Sequence, residues 1–135
     1  MHKYKQVNGV TLYQGDARNL DALEDESICV VITSPPYNVG IAYDVWNDSM
    51  PPAEYWQFFE DWLREAYRVL RQGGRIAINV PNIANSQEKD KSSGLLPMSV
   101  PVWNLLAKVG FTPREHIAWV KTRHSTCRSK PVLLW

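Results

Sequence analysis

The sequence is poor in cysteine, in long apolar runs and in net charge. Its two cysteines, Cys29 and Cys127, are too few for a disulfide framework, and no Cys/His group has the spacing of a zinc site, so we predict no bound metal. No apolar run reaches the length of a membrane span and the first ten residues contain no apolar signal region, which predicts a soluble cytoplasmic protein without membrane contact. The formal net charge of +1 excludes a general polycation that coats nucleic acid.

The remaining composition, with 44% hydrophobic and 21% charged residues, is that of a folded domain. Apolar and β-branched runs predict strands at residues 10–13, 27–33, 75–80 and 114–121. Apolar residues at three- and four-residue steps predict a helix that begins at Pro51 and is closed by Gly73 or Gly74, and a second helix over residues 99–109. This alternation predicts an α/β fold with a mainly parallel sheet, in which the second strand is buried on both faces and Cys29 is a core residue.

The segment TSPPYN, residues 33–38, leaves the carboxyl end of the second predicted strand, where parallel sheets bind their ligands. Pro35 and Pro36 fix φ at about −65° and donate no hydrogen bonds, so the carbonyls of Ser34 and Pro35 can point outward from a stiff loop. Ser34 adds a hydroxyl and Tyr37 adds a flat ring. The segment predicts a site for a planar heterocycle with an exocyclic amine; the alternative is a proline-rich turn that only ends the strand.

An exocyclic amine on such a ring is a poor nucleophile because its lone pair is delocalised. Acceptors that hold both N–H groups favour a pyramidal nitrogen whose lone pair is free to attack an electrophile. Catalysis would then come from orientation and preorganised dipoles. A base in a duplex would first be flipped out and stacked on an aromatic ring.

Several segments together resemble the amino-group DNA methyltransferases, which methylate N4 of cytosine or N6 of adenine with S-adenosylmethionine. TSPPYN resembles their catalytic motif, and YQGDARNLDALEDESICVVITSPPYNVG the segment that contains it. EAYRVLRQGGRIAINV resembles their helix, turn and following strand, and GFTPREHIAWVKT a later strand. The resemblance implies a Rossmann-like three-layer sandwich, of which residues 1–122 are the catalytic part and residues 123–135 begin a target-recognition region or linker.

The resemblance also implies roles for individual residues. Ser34 and the Pro35 carbonyl would accept from the target amine, Pro36 would hold the shape of the loop, and Tyr37 would stack on the flipped base. The residues expected on the cofactor side are Asp16, Thr33 and Asn79. Asp16 is alternatively a turn residue, and Asn79 a strand cap. Serine in place of aspartate at the first position favours cytosine N4, while adenine N6 stays open.

A glycine-rich cofactor loop is the part of the family pattern that this sequence lacks, since no Gly-x-Gly occurs in it. Only about thirty residues precede the catalytic motif, too few for a cofactor-binding half. Some members of the family have a permuted order in which the catalytic elements come first. The chain resembles the N-terminal portion of that order alone. This argues against binding of S-adenosylmethionine by this chain by itself. Apolar surface left uncovered in an incomplete sheet predicts self-association or a complementary chain.

Two further segments have alternative interpretations. The basic residues near the end of the chain, expected to contact DNA phosphates, are Lys121, Arg123, Arg128 and Lys130. The alternative for them is a solvated basic loop. Residues 43–51 would form a lid over the base or, as we favour, connect to the helix with Trp46 as a packing anchor.

The sequence as a whole favours the catalytic portion of an S-adenosylmethionine-dependent DNA methyltransferase, with restriction–modification as one setting. A different class stays open, namely a catalytically silent DNA-binding or assembly module that pairs with a second subunit. Methylation of a protein glutamine or an RNA base is a third possibility, since related enzymes use similar loops, and Ser34 makes it the less favoured one.

Overall fold

The structure, a computed structural model of the chain, describes residues 1–81 and 98–119. Its elements are β1 (His2–Val7), β2 (Val10–Gln14), β3 (Ile28–Thr33), α1 (Pro52–Val69), β4 (Leu70–Ile78) and α2 (Ser99–Val109). β1 and β2 form an antiparallel sheet, and β3 and β4 form a separate parallel one. Of the helices in the described residues, neither is long and apolar enough to cross a membrane.

The antiparallel sheet is a hairpin closed by Asn8 and Gly9. Both residues have positive φ, 50° and 80°, as a two-residue type I′ turn requires. The strand predicted at residues 10–13 is confirmed as β2, whereas β1 was not predicted. The Asn-Gly turn lets β2 pair with the strand directly before it.

The parallel pair β3–β4 is joined by α1, which confirms the predicted strand–helix–strand order. The register places Thr33 beside Ile78, so both strands end at the same edge of the sheet. There the Asn79 amide donates to the Thr33 carbonyl at 2.9 Å. The chain leaving β3 and the chain leaving β4 therefore emerge side by side.

The end of α1 differs from the prediction. The helix begins at Pro52, as expected, but ends at Val69, and β4 follows at once from Leu70. Gly73, with a φ of 76°, and Gly74 lie within β4, next to the irregular pairing at Ile28–Val30, and do not cap the helix. A Cβ on Gly74 would lie 2.8 Å from the Arg71 carbonyl, so the close approach of the backbone requires glycine.

Two expectations about burial and one about a strand are also wrong. β3 is not buried on both faces, since Ile32 is 79% exposed and Cys29 is an exposed free thiol. A parallel strand is buried on both faces only when layers cover both, and within the described residues the face of β3 that carries Val30 and Ile32 stays exposed. The predicted strand at 114–121 is absent from its described part, 114–119, which pairs with neither β3 nor β4.

The core lies between α1, α2 and the inner face of β4. Phe59 and Leu63 of α1 are fully buried, and Ile76 of β4 packs against the same cluster as Val102 of α2. The apolar stripe predicted for α1 is the surface that makes these contacts. α2 ends at Gly110, with a φ of 120°, as the sequence predicts.

Glu60 joins the two helices. Its carboxylate accepts from Lys108 of α2 and from Arg64 of α1, each at 2.6 Å. Hydrogen bonding to Lys108 and then to Arg64 lowers the pKa of the Glu60 carboxyl below its usual value. The ionised carboxylate therefore stabilises the packing of α1 on α2.

Leu63→Ala should lower the free energy of unfolding by about 2–5 kcal/mol, because it removes a fully buried side chain and leaves a cavity. Urea denaturation followed by circular dichroism measures this loss. The matched control is Gln57→Ala on the exposed face of α1, expected to change stability by less than about 0.5 kcal/mol. Equal effects of the two substitutions would contradict the observed packing.

The Glu60 contacts predict a pH dependence with a defined sign. Because the pKa of Glu60 is lower in the folded state, its contribution is complete above the unfolded value of about 4.3 and is lost as pH falls through the folded pKa. Glu60→Gln should therefore be less stable than the parent at neutral pH, and the difference should shrink in acid. Urea midpoints measured across this range test it, with the exposed Glu54→Gln expected to follow the parent curve.

Candidate functional site

A cleft of about 480 Å³ opens where β3 ends. It is lined by Ser34, Pro35, Pro36, Tyr37, Ile41, Tyr43 and Trp46. The four residues predicted to be catalytic thus lie together on one cleft, at the carboxyl end of the parallel pair. The other lining residues are apolar or aromatic, which suits a planar ring.

The diproline corner is fixed to α1 through one hydrogen bond. The Tyr55 hydroxyl donates to the Pro36 carbonyl at 2.9 Å, and Pro35 is buried. Burial and the nearby Asp48 raise the pKa of Tyr55 far above its usual value, so its hydroxyl remains a donor at any physiological pH. Among the described residues no donor to the Pro35 carbonyl is present, and Pro35 is one of the residues that line the cleft.

Tyr37 is held by its hydroxyl from two sides. Asn79 Nδ2 donates to Tyr37 Oη at 2.8 Å, and Ser34 Oγ lies 2.9 Å from the same oxygen. Since a phenol oxygen can accept twice, Ser34 can donate its proton to Tyr37 and keep its lone pairs for a ligand. Asn79, which follows β4, therefore orders the two side chains that follow β3.

The residues expected on the cofactor side have different surroundings. Asp16 forms a turn and pairs with Arg18, which donates to it at 2.6 Å and lowers the pKa of its carboxyl. It does not line the cleft. The Thr33 carbonyl accepts from the Asn79 amide, and the Asn79 side chain holds Tyr37. The cofactor roles of these three residues stay predictions.

The predicted DNA-contacting residues lie outside the described part of the chain. They are Lys121, Arg123, Arg128 and Lys130. Their role in DNA binding therefore also stays a prediction.

Comparison with known proteins assigns the family. The family model described as DNA methylase matches residues 28–131, which is most of the chain. The chain belongs to the N6/N4 DNA methylase family. The matched region includes the cleft residues 34–46, so the resemblance to amino-group DNA methyltransferases is confirmed.

Individual relatives of this methylase-family chain are named as type II methyltransferases. It is 36% identical to the type II methyltransferase M.MjaVI of Methanocaldococcus jannaschii over 86% of its own length and 56% of that protein. It is 31% identical to the type II methyltransferase M.BglII of Bacillus subtilis over 82% of its length and 29% of that protein. The chain thus spans about half the length of the first relative and less of the second.

The segment after the catalytic motif combines the two interpretations given for it. In this methylase-family chain Trp46 lines the cleft and also packs on Phe58 of α1, with ring centroids 4.6 Å apart. It is therefore both an anchor and part of the site.

Two buried polar residues near the cleft were not predicted as site residues: Asp48, which is 3% exposed, and Asn38, which is 5% exposed. The sequence signal for them was their position, since the Asn38 amide and the Asp48 carboxylate flank the aromatic residues Tyr43 and Trp46.

Tyr55→Phe should lower the free energy of unfolding by about 1 kcal/mol, because the Pro36 carbonyl loses its donor while the ring stays in place. Chemical denaturation measures the change. The control is Tyr67→Phe, whose ring is 47% exposed on the same helix and which should have a smaller effect. An effect of Tyr55→Phe no larger than that of the control would show that the hydrogen bond does not hold the corner.

Proposed function

We propose that this chain is the target-binding part of an S-adenosylmethionine-dependent DNA methyltransferase that acts on the exocyclic amine of a flipped base. The observation that supports this proposal most directly is the convergence of Ser34, Pro35 and Tyr37 on one cleft at the end of β3. Serine at the first position of the motif favours cytosine N4 over adenine N6. A flipped base also accounts for the aromatic lining, since unstacked bases bind on aromatic rings.

The residues of the cleft have separate tasks in this proposal. The two N–H groups of the target amine donate to Ser34 Oγ and to the Pro35 carbonyl, which favours a pyramidal nitrogen whose lone pair is no longer delocalised into the ring. Tyr37, held by Asn79, stacks on the base. The hydrogen bond from Tyr55 to Pro36 keeps the corner rigid, so these acceptors are oriented before the base arrives.

Two of the three side chains proposed for S-adenosylmethionine make other contacts, Asp16 with Arg18 and Asn79 with Tyr37, and the sequence has no Gly-x-Gly. We therefore propose that further polypeptide supplies the cofactor loop and completes a Rossmann-like three-layer sandwich. The uncovered side chains of β3, with Val30 52% and Ile32 79% exposed, are a surface that such an addition would bury.

The uncovered strand also supports the second candidate, a catalytically silent module that pairs with another subunit or with a second copy of this chain. Both candidates share the fold and the proposed DNA contact through Lys121, Arg123, Arg128 and Lys130. They differ in whether a complementary chain restores cofactor binding and methyl transfer.

Titration calorimetry with S-adenosylmethionine separates the candidates. We expect no heat with this chain alone, and binding together with methyl transfer to DNA when a complementary chain with a Gly-x-Gly loop is added. Transfer of labelled methyl groups to DNA is the second readout. Absence of binding and transfer in both cases would favour the silent module.

Ser34→Ala should reduce methyl transfer by the reconstituted enzyme about 100-fold or more, since single preorganised polar groups in active sites have effects of that order. Ser49→Ala, an exposed serine outside the cleft lining, is the matched control and should retain full transfer. Full transfer by Ser34→Ala would show that this hydroxyl does not bind the amine.

A further inference from the structure

Residues 38–50, which we call the wall segment, are closed by a buried carboxylate. Asp48 Oδ1 accepts from the Asn38 amide, and Oδ2 accepts from the amides of Val39 and Ile41, each at 3.0 Å. The Asp48 carbonyl also accepts from the Gly40 amide at 2.8 Å. Four backbone N–H groups at the start of the segment thus converge on one residue near its end.

Asn38 makes a second closure at the same place. Its side chain donates to the Met50 carbonyl at 2.8 Å and accepts from the Met50 amide at 2.7 Å. Asn38 has a φ of 57°, a left-handed conformation that asparagine tolerates better than most residues. The two ends of the wall segment are therefore bound to each other.

Three side chains of the wall segment line the cleft, namely Ile41, Tyr43 and Trp46. Tyr43 is 51% exposed, and its backbone is held by the closure of the segment together with an antiparallel bridge between Ala42 and Asn47. Asp48 itself is not among the residues that line the cleft.

We propose that Asp48 is a positioning residue for nucleobase recognition, acting through the closed wall segment to present Tyr43 and Trp46 to the ring of the bound base. This inference rests on the proposed function, since it takes the ligand of the cleft to be a nucleobase. The geometry supports it because the three backbone amides bound by the carboxylate lie in residues 38–41, directly before Tyr43 and Trp46 in the chain. An open segment would have to close before binding, which lowers the apparent affinity.

Asp48→Asn is an informative substitution. The side chain keeps its size but exchanges one acceptor oxygen for an N–H donor, which would face at least one of the three backbone amides. The matched control is Asp44→Asn, which makes the same chemical change at an exposed position of the wall segment.

The probe is a short single-stranded DNA in which one cytosine is replaced by pyrrolocytosine, a fluorescent cytosine analogue whose emission is quenched on stacking. The parent chain should quench it, and Asp48→Asn should bind it about tenfold more weakly or worse, with less quenching at saturation. Asp44→Asn should match the parent. Amide hydrogen exchange should speed up at Asn38, Val39 and Ile41 in Asp48→Asn alone.

Tyr43→Leu keeps the test decisive if Asp48→Asn does not fold. It should weaken binding about fivefold or more while the three amides keep their protection, because loss of base–aromatic stacking has effects of that order. If the parent quenches the probe and either folded variant binds as tightly as the parent, the inference is overturned while the proposed function stands. If the parent neither binds nor quenches the probe, the proposed function fails first and the inference with it.

Discussion

The parallel pairing of β3 with β4 is the constraint on which the site depends. Because Thr33 and Ile78 are in register, the TSPPYN segment and Asn79 leave the sheet next to each other. The Asn79 amide closes the last rung, and its side chain fixes Tyr37. A shift of the register by one residue would move Asn79 to the other side of its strand and remove that hydrogen bond. The Tyr37 ring is thus positioned by a hydrogen bond from a residue 42 positions along the chain, which the sheet pairing brings beside it.

Helix α1 links the stability of the core to the shape of the cleft. The face that buries Phe59 and Leu63 also presents Tyr55 to the Pro36 carbonyl and Phe58 to Trp46. One rigid element therefore supports both the diproline corner and the wall segment. The site is built on the helix that the core holds most firmly, which is the arrangement that preorganised dipoles require.

Sequence periodicity predicted those elements whose formation depends on local pattern. The bounds of α2, the start of α1 and the strand at 28–33 follow from apolar spacing and proline placement. The type I′ turn at Asn8 was visible but overlooked. The strand expected at 114–121 shows the limit, since strand formation needs a partner that periodicity does not specify. The hydrogen bonds of Asp48 are not specified by periodicity either, because they join its carboxylate to amides seven to ten residues away.

The face of β3 that is exposed within the described residues and the lack of a Gly-x-Gly in the sequence have one physical explanation under the proposed function. Within the described residues, the hydrogen bonds of Tyr55, Asn79 and Asp48 that shape the cleft join groups between residues 36 and 79. The exposed side chains of Val30 and Ile32 lie on the strand that ends at this cleft. Removing this apolar surface from water lowers the free energy, so a layer that covers it is favoured. A polypeptide that buries it would be brought close to the target amine by the same contact.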